Sequence, residues 1–478
     1  MAVPIVLPVV IAGGVGTRLW PISRKSLPKQ FCSIFGDQSL FQKTLARVSN
    51  EVFHTPIVIT NGEYRFLVSD QLATIKSDAE IYLEPFGRNT APAVIAAAFI
   101  AQEKHEDALV AVLPADHLIV DKQAFIDALM IGITDAIAGK LVTFGVQPDS
   151  AETGYGYIEV KESRRQGVLE VLTFHEKPDA ERANEYTLSG RHLWNTGIFL
   201  FKPSTMIELA EKFQSETVRL VRSAVNSIEV DLGYKKLPDK FWSRIRNQSV
   251  DYAICEHATN IACVPFSHYW NDLGDWKSFA ATRKQDVNGN VLSANTTEID
   301  CKNTFLLSKN NRIHLAALGV DNIVAVVTED AVLVANKDRS QEVKNLVESL
   351  ETNNVHQSSW HRKDYRPWGN FEALNLESNY QLKKLQVKPG GKLSLQSHQF
   401  RSEHWVVVKG RATVVIDGNK FYLEENQSTY IAPGQKHSLA NDTDDWLTII
   451  EVQVGSYLGE DDIVRYEDIY NRDLNKSG

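Results

Sequence analysis

Apolar residues over the first 280 or so positions come in two rhythms. Short unbroken runs at 8–12, 108–113 and 141–146 have the length and composition of strands buried on both faces. Helical stretches lie between them. Asn89-Thr90-Ala91-Pro92 opens an alanine-rich helix with a capping side chain and a proline in its first turn, and 124–138 reads as a helix stopped by Gly139. This alternation predicts an α/β unit with a mostly parallel sheet, helices on both faces, and ligands at the carboxyl ends of the strands. From Asn288 to about Ala335 the pattern changes to short β-rich runs, with turn signals at Asn288-Gly289-Asn290 and Lys309-Asn310-Asn311. A helix is expected over 340–351, then a polar linker over 352–363. Beyond Tyr365 nearly every run is β, with turns at Pro389-Gly390-Gly391, Asp417-Gly418-Asn419 and Pro433-Gly434, the pattern of a small all-β barrel or jelly roll. The expected divisions are 1–285, a β-rich linker region with a terminal helix at 286–355, and 356–478.

A chain of 478 residues is long enough for two or three domains, and 43% hydrophobic with 23% charged residues is the composition of a soluble globular protein. A net charge of -9 argues against a nucleic-acid or anionic-membrane surface, though an anionic small molecule can still bind where cations are gathered locally. The apolar start has no Lys or Arg before Arg18 and no cleavage pattern, and prolines interrupt a run too short to span a bilayer. It reads as a buried first strand. Cys32, Cys255, Cys263 and Cys301 lack CxxC spacing, which indicates neither a disulfide framework nor a zinc cluster and fits a reducing cytoplasm.

The first strand runs into Gly13-Gly14-Val15-Gly16-Thr17-Arg18. Glycines let backbone N–H groups approach phosphate oxygens closely, and a following helix N-terminus adds its dipole. No Gly-Lys-Ser/Thr follows, so this is not a Walker A loop, and Leu19 stands where a dinucleotide fingerprint has its third glycine. Taken alone, the loop fits a plain tight turn as well as a phosphate cradle. Arg18, Arg24, Lys25 and Lys29 then follow with no acidic residue before Asp37, interleaved with Leu19, Trp20, Pro21, Pro28 and Phe31. A stiff apolar frame holding cations suits a polyphosphate better than it suits a solvated basic face.

The run from Gly13 to Pro21, with Ser23-Arg24 and Pro28-Lys29-Gln30-Phe31, resembles the signature of bacterial mannose-1-phosphate guanylyltransferases among the sugar-phosphate nucleotidyltransferases. The resemblance implies a Rossmann-like nucleotidyltransferase domain over 1–285. In it Gly13, Gly14, Gly16 and Thr17 would hold the nucleoside triphosphate, and Arg18 and Lys29 would neutralise phosphate charge during transfer. Glu84-Pro85-Phe86-Gly87-Arg88-Asn89 is, from its residues, a good helix entry; the resemblance implies nucleotide contacts for Arg88 and Asn89. Leu113-Pro114-Ala115-Asp116-His117 ends a strand with a carboxylate, and Asp272 supplies a second in Trp270-Asn271-Asp272-Leu273-Gly274-Asp275-Trp276. Each aspartate alone fits a cap or turn. Together they could hold Mg²⁺ between the α-phosphate and the attacking sugar phosphate, as the resemblance implies. It likewise implies sugar-phosphate contacts by Gly154 and Tyr155, by Glu176 and Lys177, and by Asn195. Position 175 is His where relatives commonly carry an apolar residue. The implied reaction converts GTP and mannose 1-phosphate to GDP-mannose and pyrophosphate, a step of polysaccharide biosynthesis. The nucleophile is already an anion, so positioning and charge neutralisation by Mg²⁺, Arg18 and Lys29 would carry catalysis.

The C-terminal β segment carries Gln396, His398, Glu403 and His437. Residues 396 and 398 share one strand face, with Glu403 and His437 expected from neighbouring strands of the barrel, and the four make a divalent-metal set. Their spacing resembles cupin metal motifs, and Arg401-Ser402-Glu403-His404-Trp405 resembles type II phosphomannose isomerases. That resemblance implies interconversion of fructose 6-phosphate and mannose 6-phosphate, with a second divalent metal polarising the carbonyl and Arg401 stabilising enediolate charge. The family's His-His-His run reads His398-Gln399-Phe400 here, so a cupin kept for packing and for a homodimer or higher homo-oligomer stands beside an active isomerase. Two further readings are a nucleotidyltransferase for another sugar or base and a non-catalytic sugar-nucleotide sensor. Neither nucleic acid nor a membrane is expected as a partner.

Overall fold

In the computed structural model, which describes residues 5–105, 108–162 and 166–467, β1 (Val6–Ala12) lies near the middle of an eleven-stranded sheet with almost every residue buried. Met1 to Pro4, part of the apolar start, fall outside the described residues. The other ten strands are β2 (Ile57–Asn61), β3 (Glu80–Glu84), β4 (Leu109–Pro114), β5 (Leu141–Val146), β6 (Gly156–Glu162), β7 (Leu169–Glu176), β8 (His192–Phe201), β9 (Glu229–Asp231), β10 (Tyr234–Lys236) and β11 (Ile261–Pro265). Their spatial order is β9-β10-β3-β2-β1-β4-β8-β5-β11-β7-β6, with a further pairing of β8 to β6.

The expected parallel pairing runs from β10 through β3, β2 and β1 to β4, and returns between β5 and β11. β8 is antiparallel to β4, β5 and β6. Its register against β5 shifts between Thr143 and Gly145, where a Cβ on Gly145 would meet Leu193 Cβ at 2.8 Å. Glycine permits that approach. Asn89 caps the helix Thr90–Lys104 by accepting from Thr90 N at 2.9 Å. Every residue from Ala91 to Ala101 is buried, as befits a helix apolar all round, and it packs against the helix Pro203–Val225.

The segment read from sequence as a β-rich linker folds into stacked rungs. Val291–Leu292, Phe305–Ser308 and Ile323–Val327 pair in parallel, as do Thr296–Ile299 and Leu315–Leu318, and Val332–Asn336 closes the edge antiparallel. Parallel rungs joined by short turns bury a continuous column of side chains. Phe305, Leu307, Val324, Val326 and Leu333 share one apolar core with Leu19, Trp20, Ile22, Trp276 and Phe279. Arg24, fully buried, adds a two-pronged ion pair to Asp330 at 2.6 and 2.7 Å. The rungs therefore stand directly behind the glycine loop.

The chain divides after Ser359, inside the polar stretch. In the second unit two antiparallel sheets of six and five strands enclose Trp368, Leu385, Val387, Trp405, Val407, Val414, Leu439 and Ile449. Asp417 and Gly418, with φ of 47° and 82°, make the two-residue hairpin turn between Ala412–Ile416 and Asn419–Leu423, which is the turn that pair favours. All four cysteines are buried and free, and burial pushes Cys32 and Cys263 up to about 12. No helix among the described residues is long and apolar enough to cross a membrane.

Candidate active site

The carboxyl ends of β1, β3 and β4 open onto a cavity of about 600 Å³, where an open α/β sheet places its ligands. Gly13 and Gly14 line it from the loop after β1, Glu84 from the end of β3 and Asn89 from beyond it, and Asp116 and His117 from beyond β4. Gly154, Tyr155, Gly156, Glu176 and Asn195 line it from the β6–β8 side, together with Asp251 and Asp272.

Backbone and side-chain donors fasten the glycine loop from behind. Lys29 N donates to Val15 O at 3.2 Å, Ser23 Oγ donates to Val15 O at 2.5 Å, and Gln30 Nε2 donates to the carbonyls of Gly13 and Gly14 at 3.2 and 3.1 Å. Gly16 has φ 72°, and a Cβ there would stand 2.6 Å from Lys29 Cβ, so both conformation and space require glycine. Lys29 itself is buried. Its Nζ lies 2.6 Å from Asp116 Oδ2 and donates to Asp272 O at 2.6 Å. Burial works to raise the Asp116 pKa, but the charges of Lys29 and His117 outweigh it and hold the carboxyl below its ordinary value. Arg18 is half-buried and has no hydrogen-bond or ion-pair partner among the described residues, so its guanidinium is available to an anion. Thr17 starts the turn Thr17–Leu19, and neither it nor Gly16 lines the cavity. The sequence cluster is thus divided: Lys29 fastens the loop, Arg18 follows it without lining the cavity, Arg24 is committed to Asp330, and Lys25 is exposed.

Asp272 Oδ1 accepts from Tyr155 Oη at 2.7 Å and from Gly274 N at 2.9 Å, which leaves Oδ2 without a hydrogen bond among the described residues. Asp116 and Asp272 therefore bring carboxylate oxygens to the same cavity, and hard oxygen donors of this kind fit a divalent cation such as Mg²⁺. His117 accepts from Trp270 Nε1 at 3.3 Å, and its burial pushes its pKa below the ordinary value against the pull of Asp116.

At the β6–β8 side Glu176 and Asn195 line the cavity. Lys177 pairs with Glu176 Oε1 at 2.5 Å but does not itself line the cavity. A Cβ on Gly156 would come within 2.7 Å of Glu176 Oε2, so that glycine makes room for the carboxylate. Arg88 also lies outside the lining: it stacks on Phe86 at 4.7 Å and donates to Ser243 O at 2.7 Å, while Asn89 remains in the wall.

Sequence reasoning missed two carboxyls. Asp251 begins the π-helical turn Asp251–Cys255 and accepts from Asn195 Nδ2 at 3.0 Å, while Asn195 Oδ1 accepts from Thr143 Oγ1 at 2.9 Å and Gly197 N at 3.2 Å. Burial, reinforced by the nearby Glu176 charge, pushes Asp251 up to about 7. Nothing in the local sequence marks it except an isolated Asp among apolar residues. Glu84 ends β3, is raised to about 8 by burial, and keeps Oε1 without a hydrogen-bond partner. Its signal was a carboxylate at a strand's carboxyl end, the same signal that marks Asp116.

Comparison with known proteins agrees with this geometry. A nucleotidyl transferase family model matches residues 7–289, a MannoseP isomerase/GMP-like beta-helix domain matches 294–350, and a mannose-6-phosphate isomerase C-terminal model matches 353–468. The chain is 41% identical over 470 residues to a mannose-1-phosphate guanylyltransferase of Klebsiella pneumoniae, covering 98% of this chain and 99% of that one. The chain belongs to the mannose-1-phosphate guanylyltransferase family. Xanthan biosynthesis protein XanB of Xanthomonas campestris pv. campestris is 43% identical with coverage of 98% and 99%, and alginate biosynthesis protein AlgA of Pseudomonas aeruginosa is 41% identical with coverage of 98% and 97%. A solved Thermus thermophilus structure described as a mannose-1-phosphate geranyltransferase is 29% identical, with a TM-score of 0.65, and covers 72% of this chain and 99% of its own.

This guanylyltransferase carries a second cluster in its C-terminal unit, which differs in detail from the expected arrangement. Gln396 and His437 face each other on neighbouring strands of the five-stranded sheet, but Glu403 reaches in from the six-stranded sheet opposite. The two inner faces of the barrel meet there. His398, Glu403 and His437 bring their donor atoms within 4.8 Å of one another, all buried. His398 Nε2 is 3.0 Å from Glu403 Oε1, close enough for an ion pair yet out of line for a hydrogen bond, and His437 Nε2 also lacks a hydrogen-bond partner. Burial would raise Glu403, but His398 and His437 reverse it and hold the carboxyl well below its ordinary range. Arg401 lies 3.4 Å from Glu403 Oε1 through Nε and donates to Gly459 O at 2.8 Å. Buried imidazole nitrogens left unpaired around a carboxylate fit a divalent transition metal.

Asp251 gives the site a testable pH dependence. Its folded-state pKa, about 7, lies above the ordinary carboxyl value, so the folded chain holds the proton more tightly than the unfolded chain. That contribution to stability is present at acid pH and is lost as pH rises through about 7. Asp251→Asn keeps an acceptor for Asn195 and removes the charge. Its melting temperature relative to the unmodified protein should therefore rise between acid and alkaline buffers; a difference constant with pH would show that Asp251 titrates as an ordinary carboxyl.

Proposed function

We propose that the 1–285 region joins mannose 1-phosphate to the GMP part of GTP, forming GDP-mannose and releasing pyrophosphate. The observation that carries this reading is a single cavity lined by both the fastened glycine loop and the Gly156–Glu176–Asn195 wall, with Asp116 and Asp272 at the same cavity. A phosphate oxygen of the sugar forms a bond to the α-phosphorus of GTP while the bond from that phosphorus to the bridging oxygen breaks. Pyrophosphate leaves with that electron pair, and no proton needs to be taken from the nucleophile. Mg²⁺ held by Asp116 and Asp272 would supply charge stabilisation when bound. Arg18 and Lys29 would receive the polyphosphate, and Glu176 and Asn195, the latter fixed by Asp251 and Thr143, would orient sugar hydroxyls.

Glu84 supports GTP as the nucleotide. A buried carboxyl with an unused oxygen can accept both the N1–H and the exocyclic N2–H of guanine, whereas adenine offers an acceptor at N1. Ionised by that pairing, Glu84 would exchange a proton it holds alone for two guanine donors.

The cupin unit supports a second reading, isomerisation of fructose 6-phosphate to mannose 6-phosphate at the His398, Glu403 and His437 cluster. Gln399 and Phe400, which stand where two family histidines would be, are both exposed, and their N–H groups donate to Asp462. The buried cluster is intact without them.

Pyrophosphate release should occur with GTP and mannose 1-phosphate in the presence of Mg²⁺, and Asp116→Asn, which keeps a hydrogen-bond acceptor for the buried Lys29 but removes the anionic metal ligand, should abolish it. Release by that variant at the original rate would overturn the metal assignment, and release with a different nucleotide and sugar would overturn the substrates. Glu84→Gln should lower kcat/KM for GTP by about 10–100-fold, the loss of hydrogen bonds to a charged group, and leave any turnover with ATP unchanged. Equal losses for both nucleotides would place Glu84 away from the base. Conversion of fructose 6-phosphate, followed by mannose 6-phosphate formation, should vanish in His398→Ala while pyrophosphate release persists. No conversion by the unmodified protein with any divalent metal would leave the cupin a structural unit.

A further inference from the structure

The outer side of the same sheet carries chemistry that the transfer reaction does not use. Glu159 on β6 lies opposite Thr173 on β7 and opposite His192 on β8, and His175 is the next residue of β7 on that face. Gly156, Glu176 and Asn195, which line the cavity, point the other way. The donor atoms of Glu159, His175 and His192 all fall within 4.8 Å of one another. His192 is buried, whereas Glu159 and His175 are half-buried, so the cluster is reachable from solvent.

Neighbouring groups hold the two imidazoles by one nitrogen each. Ser189 Oγ lies 2.7 Å from His192 Nδ1, and Thr173 Oγ1 lies 3.0 Å from His175 Nε2 while donating to Glu159 Oε2 at 3.0 Å. Tyr186 stacks on both rings, with centroids 4.2 Å from His192 and 5.0 Å from His175. Fixing one ring nitrogen sets the orientation of the other, which is how imidazole ligands are prepared for a metal. Arg191 approaches Glu159 Oε1 only to 3.8 Å and leaves the carboxylate available.

We propose that Glu159, His175 and His192 form a binding site for a divalent transition ion of the zinc class. Donors at about 2.0–2.1 Å from a tetrahedral ion lie about 3.4 Å apart, so these atoms, within 4.8 Å of one another, must draw inward for an ion to bind. Two imidazoles and one carboxylate select zinc-like ions over Mg²⁺, which takes oxygen ligands. Water would fill the fourth position. A bound ion would tie together β6, β7 and β8, the strands whose inner face carries Gly156, Glu176 and Asn195.

The test uses the full chain stripped with a chelator and titrated with Zn²⁺ against a chromophoric competitor. Because the cupin cluster has the same donor types, the titration is run in the His398→Ala background. That protein should bind one equivalent of Zn²⁺ and melt at a higher temperature with it. Adding His175→Ala should weaken that equivalent by at least about tenfold and remove the melting shift. Glu159→Gln keeps the Thr173 hydrogen bond and removes the anionic ligand, and it should do the same where loss of an imidazole disturbs the stack. Unchanged affinity and an unchanged melting shift in both variants would overturn the site and leave the cluster a hydrogen-bonded aromatic stack.

Discussion

A buried ammonium must have its charge met, and the cavity at the sheet's carboxyl ends is arranged around how Lys29 meets it. The residue sits in the turn Lys29–Phe31, pinned by its own N–H to the glycine loop, while Nζ reaches the carboxylate after β4 and the backbone of the segment carrying Asp272. One side chain therefore joins three stretches far apart in sequence. Leaving such a charge unpaired costs about 3–5 kcal/mol, so the three stretches cannot separate cheaply. Gly16 belongs to the same constraint, because the space for its Cβ is taken by Lys29 Cβ. Lys29 and the loop are thereby fixed by the protein's own contacts, which is the condition for electrostatic preorganisation at the proposed phosphate site.

The same logic explains why the rungs from Val291 to Asn336 are part of the site's support. Trp20 packs in one core with Phe305, Val324 and Val326 of the rungs, and its hydrogen bonds, to Gln357 O from its indole and from Trp276 to its carbonyl, hold it there. Arg24 anchors to Asp330. A cation next to a phosphate loop looks, in sequence, like a ligand for phosphate; only its burial and its partner three hundred residues away reveal a fastening. The rungs were legible as β and as turns, since Gly289 does occupy a left-handed turn. Their stacking was not, because each rung is only two to five residues long and acquires an apolar face only when its neighbours cover it.

What sequence reading recovered best were features set by local chemistry. β5 fills the expected 141–146, Asn89 caps its helix, and Gly139 ends the next one in a left-handed conformation. Asp116 and Asp272 stand at chain positions where a turn follows a buried strand or a tight aromatic motif, and both reach the cavity. Asp251 and Arg88 escaped it for opposite reasons. Asp251 is drawn in by the π-helical turn that carries it, which composition does not announce, whereas Arg88 has a ring to stack on and a carbonyl to bind within its own surroundings. The antiparallel course of β8 escaped too, since an apolar strand carries no mark of its direction.

Three carboxylate-bearing clusters in one chain differ in the cation each would take. The cavity offers two oxygen donors, Asp116 and Asp272, beside a lysine, against a single imidazole, His117, whose Nδ1 already accepts from Trp270 Nε1. The cupin cluster and the β6–β8 cluster each offer two imidazoles and a glutamate. They differ in access. His398, Glu403 and His437 are all buried between two sheets, so an ion there must shed its water and exchange slowly, while Glu159 and His175 remain open to solvent. Donor chemistry separates the first site from the other two, and burial separates those two from each other, so a zinc-class ion at the proposed outer-face site would not compete for the proposed Mg²⁺ position in the cavity.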